Sequence, residues 1–274
     1  MYHSLKNNQA LIIGGTKGIG RAIAIRLASE GVNLLINYHS SDNLAEQTAA
    51  ECQKSGVQVE LIKADIGSKN GIDVINKKID SLNRLDILIL NAAKGLERPR
   101  MAIEQKAGHI QSTLDTNLIA PWEIIKSSSK VMKKHNQGSI IGLLTPGTKF
   151  YIEGYSAVAI SKGAFEALIK YTAVELASHN IKVNGVMAGL VEETVGSKSF
   201  NEILNKIKNI IPAGKNVQTE DVANLITWLC SDQSDMIIGQ TINIDGGFSF
   251  NSLCLDLPFS NCSRYSFSYA KTPL

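Results

Sequence analysis

Short apolar runs recur along the chain at residues 10–13, 33–37, 58–62, 87–90, 139–144, 182–187 and 241–244. Most lack the polar alternation of a half-exposed strand, the pattern of parallel strands covered on both faces. Between them lie segments of helical length, at 18–29, 43–55, 71–82, 108–134, 156–178, 201–209 and 220–231. Their alternation predicts an α/β fold: a doubly wound parallel sheet of about seven strands with helices on both faces. Right-handed crossovers then place ligands at the carboxyl ends of the strands. No repeat or linker interrupts residues 1–250, which read as a single domain. The tail, 251–274, is rich in serine and aromatic residues and has no helical or strand period. An arm packed over a neighbouring subunit or the active-site mouth fits it, as does a disordered appendage, and composition favours the appendage.

Composition narrows the class without naming a reaction. The 274 residues are 44% hydrophobic and 19% charged, enough for one well-buried core. A net charge of +3 gives no reason to expect nucleic acid or a membrane surface. Residues 1–8 lack the apolar stretch of a secretory signal, and no apolar run reaches membrane-spanning length. A soluble cytoplasmic protein is the expectation. Cys52, Cys230, Cys254 and Cys262 are scattered and read as free thiols. The five histidines are equally dispersed, so no metal site is expected.

The first apolar run leads directly into Gly14-Gly15-Thr16-Lys17-Gly18-Ile19-Gly20, with a helix following at once. Glycines there permit a tight turn and let the backbone approach a pyrophosphate. The helix start then offers free N–H groups and the positive end of its dipole to that anion. A glycine pattern alone is weak evidence, and its place between first strand and first helix strengthens it. Cofactor choice follows from charge. A site selective for NAD usually carries a carboxylate after the second strand, whereas here Asn37-Tyr38-His39-Ser40 has none. That stretch tolerates a 2′-phosphate, and Lys17 is placed to pair with it, so NADPH is expected over NADH.

Further motifs follow in order. Asp65-Ile66 comes after the third run, Asn91-Ala92-Ala93 after the fourth, Asn117 in the long fourth helix, and Asp245-Gly246-Gly247 after the last run. With Gly14, Gly18 and Gly20, this set resembles the short-chain dehydrogenase/reductase family, whose fold is of Rossmann type, over residues 9–250. The resemblance implies that Gly14, Thr16, Lys17, Gly18, Ile19, Gly20, Tyr38, Asp65, Ile66, Asn91 and Ala92 bind the dinucleotide. It adds Gly189 and Thr194 for the nicotinamide end, and Asn117 as a structural and proton-relay residue. Thr194 stands one place later than the family's nicotinamide-contacting threonine, and Ile13 replaces the usual threonine before the glycines.

The family carries Tyr-x-x-x-Lys on the helix after the fifth strand. Lys162 matches its lysine, but Val158 occupies the tyrosine position and the nearest upstream tyrosine is Tyr155. Tyr151, a rival, is separated from the helix by Gly154. Positions four and seven apart both return to one helix face. If both residues are helical, the move shifts the hydroxyl by roughly 4.5 Å along the axis. Tyr155-x6-Lys162 is also the spacing of bacterial enoyl-[acyl-carrier-protein] reductases, and the resemblance therefore implies reduction of a trans-2-enoyl thioester. The 91–99 loop resembles that of the NADPH-dependent, type III-like branch, and Ala188-Gly189 agrees with it. In the roles so implied, Lys162 holds the nicotinamide ribose and favours the phenolate of Tyr155, which donates to the enolate oxygen. Thr145, seventeen residues before Lys162, either donates to substrate or caps its strand.

The substrate mouth is expected near residues 94–101 and 190–208, with Lys94, Arg98, Arg100, Lys198, Lys206 and Lys208 either receiving an acidic acyl carrier protein or forming a solvated face. Phe150, Tyr151, Ile152 and Met187 line an acyl channel or belong to the core. Two alternatives stay open: a 3-ketoacyl or other carbonyl or dienoyl reductase, and a catalytically silent NADP-binding regulator. Family members usually form tetramers through the helices after the fourth and fifth strands, so a homotetramer is expected.

Overall fold

A computed structural model describes residues 2–95, 99–191, 208 and 210–250. Its strands are β1 (Gln9–Ile13), β2 (Asn33–Tyr38), β3 (Val59–Lys63), β4 (Ile87–Leu90), β5 (Gly138–Leu144), β6 (Ile181–Ala188) and β7 (Thr241–Ile244). The helices are α1 (Gly18–Ser29), α2 (Asp42–Gln53), α3 (Lys69–Asp80), α4 (Ala107–Leu114), α5 (Ala120–His135), α6 (Ser156–Ala177) and α7 (Thr219–Cys230). All strand pairs are parallel, in the order β3-β2-β1-β4-β5-β6-β7, giving the seven-stranded Rossmann-type sheet that the alternating pattern predicts.

The apolar runs form strands because each residue has a hydrophobic layer to enter on its own side of the sheet. In β1, Leu11 and Ile13 join the layer formed with α3, α5 and α6, which includes Ile75, Ile79, Ile124, Phe165 and Ile169. Ala10 and Ile12 point the other way, into the layer with α1 and α7, among Ile23, Leu27, Ile226 and Leu229. Every residue of β4, β5 and β6 is buried, whereas edge strand β3 exposes Glu60 and Lys63. Covering both faces of a sheet in this way buries enough apolar surface to offset the ordering cost of a chain this long.

One helix differs from its sequence reading. The segment 108–134 is α4, a π-helical turn at Asp115–Ile119, and then α5 with Pro121 in its first turn. A π-turn inserts an extra residue into the ladder and rotates the side chains that follow. Here it carries Asn117, fully buried, toward α6. The helix expected at 201–209 and the tail 251–274 lie outside the described residues, apart from Lys208. No helix among the described residues is long and apolar enough to cross a membrane.

The strand order reverses between β1 and β4, so their carboxyl ends diverge into helices on opposite faces. The crevice opened by such a reversal is where doubly wound sheets bind ligands. Gly14, Tyr38, Asp65, Asn91, Thr145 and Gly189 all lie at or just beyond this edge of the sheet.

Candidate active site

The β1–α1 turn is held from three sides. The N–H groups of Gly14 and Gly15 both donate to the Asn37 carbonyl at 3.1 Å. The Asn91 amide donates to the Gly14 carbonyl at 2.7 Å, tying the turn to the end of β4. Thr48 of α2 donates to the carbonyl of the buried Thr16 at 3.2 Å. Gly14 has φ +77°, open to glycine at little cost. Gly20 sits so close to the turn that a Cβ there would lie 2.0 Å from the Gly14 oxygen. Lys17 is the N-cap of α1, exposed, and its side chain makes no capping bond. The turn therefore presents backbone N–H groups, a helix N-terminus and one cation to the crevice, a donor set suited to a pyrophosphate. A dinucleotide fits this donor set, and a side chain at residue 20 would break the turn by striking the Gly14 carbonyl and the Asn91 amide.

Beyond β2 and β3 the adenosine end shows an acid outside the four residues considered from sequence. Asp42, first residue of α2, accepts from the Tyr38 hydroxyl at 2.8 Å and pairs with Lys63 at 2.7 Å. These partners hold its carboxyl below the usual carboxylate range, the Lys63 hydrogen bond contributing most. The charge is thus matched locally by a cation. Asp65 is exposed, accepts from the Gly67 N–H at 2.9 Å and lies 3.8 Å from the His39 ring, while Ile66 is buried behind it.

At the end of β5, Thr145 is almost fully buried and its hydroxyl donates to the Tyr155 hydroxyl at 3.0 Å. The same oxygen accepts a longer bond from the Gly147 N–H, 3.4 Å, capping a short 3-10 turn at Pro146–Thr148. Its one proton is thus given to Tyr155, and the cap it makes is of the turn that follows the strand. Tyr155 is the N-cap of α6, with φ −99° and ψ 3°, not a helical residue. Its ring folds back over Gly147, where a Cβ would come within 2.7 Å of ring atom Cδ1. The assumption of a tyrosine carried along the helix axis is therefore corrected: leaving the helix lets the phenol swing back to the strand end. Val158, where the family's tyrosine stands, is buried. Tyr151 is 75% exposed with its hydroxyl 3.6 Å from the Met101 sulfur, apart from the Thr145–Tyr155 pair.

Lys162 is buried on α6, and its ammonium donates to the Leu143 carbonyl at 2.7 Å and lies 5.3 Å from the centre of the Phe165 ring. Burial pulls its pKa down to about 8. Tyr155 moves the opposite way from the phenolate expectation. Burial raises its pKa, opposed by the Thr145 hydrogen bond, with no contribution from Lys162. The hydroxyl is thus a neutral donor in this state. Asn117 is fully engaged: its amide donates to the Lys94 carbonyl and the Ser161 hydroxyl, each at 2.9 Å, and its oxygen accepts from the Lys94 N–H. Its side chain thus ties the 94 loop to α6.

A family model described as "Enoyl-(Acyl carrier protein) reductase" matches residues 14–249. The chain is 31% identical over 239 residues to the 3-oxoacyl-[acyl-carrier-protein] reductase FabG of Staphylococcus aureus, covering 87% of this chain and 96% of that one. The structure of a short-chain dehydrogenase/reductase from Serratia marcescens superposes with a TM-score of 0.81 at 29% identity, over 90% of this chain and all of that one. A putative NAD(P)-dependent gluconate 5-dehydrogenase from Beutenbergia cavernae, solved with NADP bound, gives a TM-score of 0.83 at 28% identity over 91% of this chain and all of that one.

The chain belongs to the short-chain dehydrogenase/reductase family. It is an NAD(P)-dependent oxidoreductase of that family, and its structure brings the Gly14–Gly20 turn, Asn91, Thr145, Tyr155, Lys162 and Gly189 to one edge of the sheet. Gly189 is held there by its N–H bond to the Ile244 carbonyl, 2.9 Å. Other expected site residues fall elsewhere. Met187 belongs to the core, and Phe150 stacks edge-on against Phe248 at 5.6 Å. Thr194, Arg98, Lys198 and Lys206 lie outside the described residues. Sequence reasoning missed the Tyr38–Asp42–Lys63 cluster and Ser161. The i,i+4 spacing of Tyr38 and Asp42 was a usable signal, but the pairing with Lys63 comes from β2–β3 register.

Proposed function

We propose that this reductase uses NADPH to reduce the β-carbonyl of a 3-ketoacyl thioester. The observation that carries the reading is the Thr145–Tyr155 hydroxyl pair, 3.0 Å apart at the end of β5. With the Thr145 proton donated to Tyr155, the phenolic proton is directed outward to a single substrate oxygen. When bound, NADPH supplies the hydride that goes to the carbonyl carbon. Tyr155 gives its proton to the carbonyl oxygen, and Thr145 steadies the phenolate left behind. Lys162, whose ammonium bonds the Leu143 carbonyl, takes the role of orienting the nicotinamide ribose. The similarity to 3-oxoacyl reductases along nearly their whole length supports this substrate class. The exposed Lys17, and an Asp42 already neutralised by Lys63, support NADPH over NADH.

A second reading, reduction of an enoyl thioester, is favoured by the Tyr155-x6-Lys162 spacing. There hydride goes to the β-carbon, and the same phenol meets the thioester oxygen. The two are separated by following NADPH oxidation with acetoacetyl and crotonyl thioesters side by side. Turnover of acetoacetyl thioester at least about tenfold above crotonyl supports ketoreduction. The reverse ratio assigns the protein to enoyl reduction.

A further inference from the structure

Beside the reacting centre lies a cavity of about 580 Å³ that neither the dinucleotide cradle nor the hydroxyl pair uses. Its wall carries Lys94, Arg100 and Lys106, together with Gln105, His109 and Ser112, and no carboxylate among the described residues. No described carboxylate lies within ion-pair distance of the three cations. Such a concentration of unpaired positive charge raises the local concentration of anions. The polar groups are also preset. Gln105 donates to the Arg100 carbonyl at 3.2 Å and accepts from His109 Nδ1 at 2.9 Å. That bond leaves His109 Nε2 enclosed and without a protein partner. Lys106 is the N-cap of α4 and makes no side-chain cap; its carbonyl takes the His109 N–H at 2.9 Å, which leaves the N–H groups of Ala107 and Gly108 as the uncapped start of the helix, with Gly108 in the cavity wall.

The cavity is mechanically joined to the reacting centre. Both backbone groups of Lys94 bond to Asn117, whose amide reaches Ser161, the neighbour of Lys162. The backbone of Lys94 is therefore tied to the helix that carries Lys162.

We propose that this cavity binds the phosphate of the phosphopantetheine arm on which the acyl group arrives. This rests on the acyl-thioester reading above. The arm ends either in a carrier protein or in coenzyme A, and the phosphate next to pantetheine is common to both. Lys94, Arg100 and Lys106 contact the phosphate oxygens, with the α4 N-terminus completing the site. Anchoring there leaves the thioester end free to enter the cleft beside Tyr155.

The test is calorimetric titration of the protein saturated with NADP⁺, using pantetheine, 4′-phosphopantetheine and coenzyme A. The expected result is phosphopantetheine binding about tenfold tighter than pantetheine. That advantage should collapse in Arg100→Gln/Lys106→Gln while pantetheine and NADP⁺ affinities stay unchanged. Equal affinities for the two ligands, or an advantage that survives the double substitution, overturns the proposal. So does tight binding of coenzyme A alone, which moves the anion site to the adenosine end. Binding does not depend on turnover, so the two readings fail separately. A phosphate-selective protein that reduces neither thioester keeps the cavity assignment and loses the reaction. Equal kcat/KM for coenzyme A and N-acetylcysteamine thioesters keeps the reaction and loses the cavity.

Discussion

The β1–α1 turn and the segment from Thr145 to Tyr155 lie at the same edge of one sheet, yet they are built differently. The first is made of backbone: glycines, a helix start, N–H groups tied to the Asn37 carbonyl and a Gly14 carbonyl held by the Asn91 amide. Its shape is set over a few contiguous residues, with the side chains of Asn91 and Thr48 bonding its carbonyls from outside. The second is made of side chains that meet across a 3-10 turn and a helix cap. A backbone site fails when any atom is added, whereas a side-chain site fails when one particular atom is removed.

Substitutions at each region sharpen this contrast. The largest effect is expected from Tyr155→Phe, which removes the proton donor and should lower kcat about 10²- to 10⁴-fold. NADPH affinity, measured by fluorescence titration, should hardly change, and a variant of near-normal kcat would take Tyr155 out of the chemistry. Next is Gly20→Ala, whose Cβ would meet the Gly14 oxygen at 2.0 Å. An overpacked turn of this kind costs about 1–3 kcal/mol, and NADPH affinity should fall on the order of 100-fold, following from that distortion. Normal binding by this variant would show that the turn relaxes without loss.

Lys162 offers a subtler test through stability. Buried, it has a pKa of about 8 against the ordinary 10.5. The folded chain therefore holds this proton less tightly than the unfolded chain. Its destabilising contribution is fully present below about pH 8 and fades as pH rises from there toward 10.5. Lys162→Met should thus raise the Tm of the ligand-free protein at pH 7, with the gap narrowing above pH 8, while abolishing most turnover. A lower Tm at pH 7 would mean that the bond to Leu143 outweighs the burial of charge. The smallest effect is expected at Lys63→Met. Freeing the exposed Asp42 carboxylate should shift the NADPH-to-NADH affinity ratio toward NADH by roughly three- to fivefold at low salt, and less when salt is added.

How much of this was legible depends on the range of the interaction concerned. The pyrophosphate turn could be read directly, because strand, glycines and helix start are contiguous. The seven strands could be read because burial on both faces leaves unbroken apolar runs. The position of the Tyr155 hydroxyl could not. Periodicity treated residues 155 and 162 as members of one helix, and the N-cap conformation of Tyr155 turned its ring back over Gly147. Asn117 was found, but its engagement with Lys94 and Ser161 depends on a π-turn that leaves no periodic trace in a 27-residue helical pattern.

The sequence by itself determined the sheet, its edge and the residue types at that edge, because local patterning and contiguous motifs specify them. Only the tertiary structure decided which hydroxyls touch, which carboxylate is neutralised and which cations share a cavity. Those outcomes rest on contacts between residues far apart in the chain, such as Asp42 with Lys63 and Asn117 with Ser161. Packing of whole layers, not any local preference, brings such pairs within hydrogen-bonding distance.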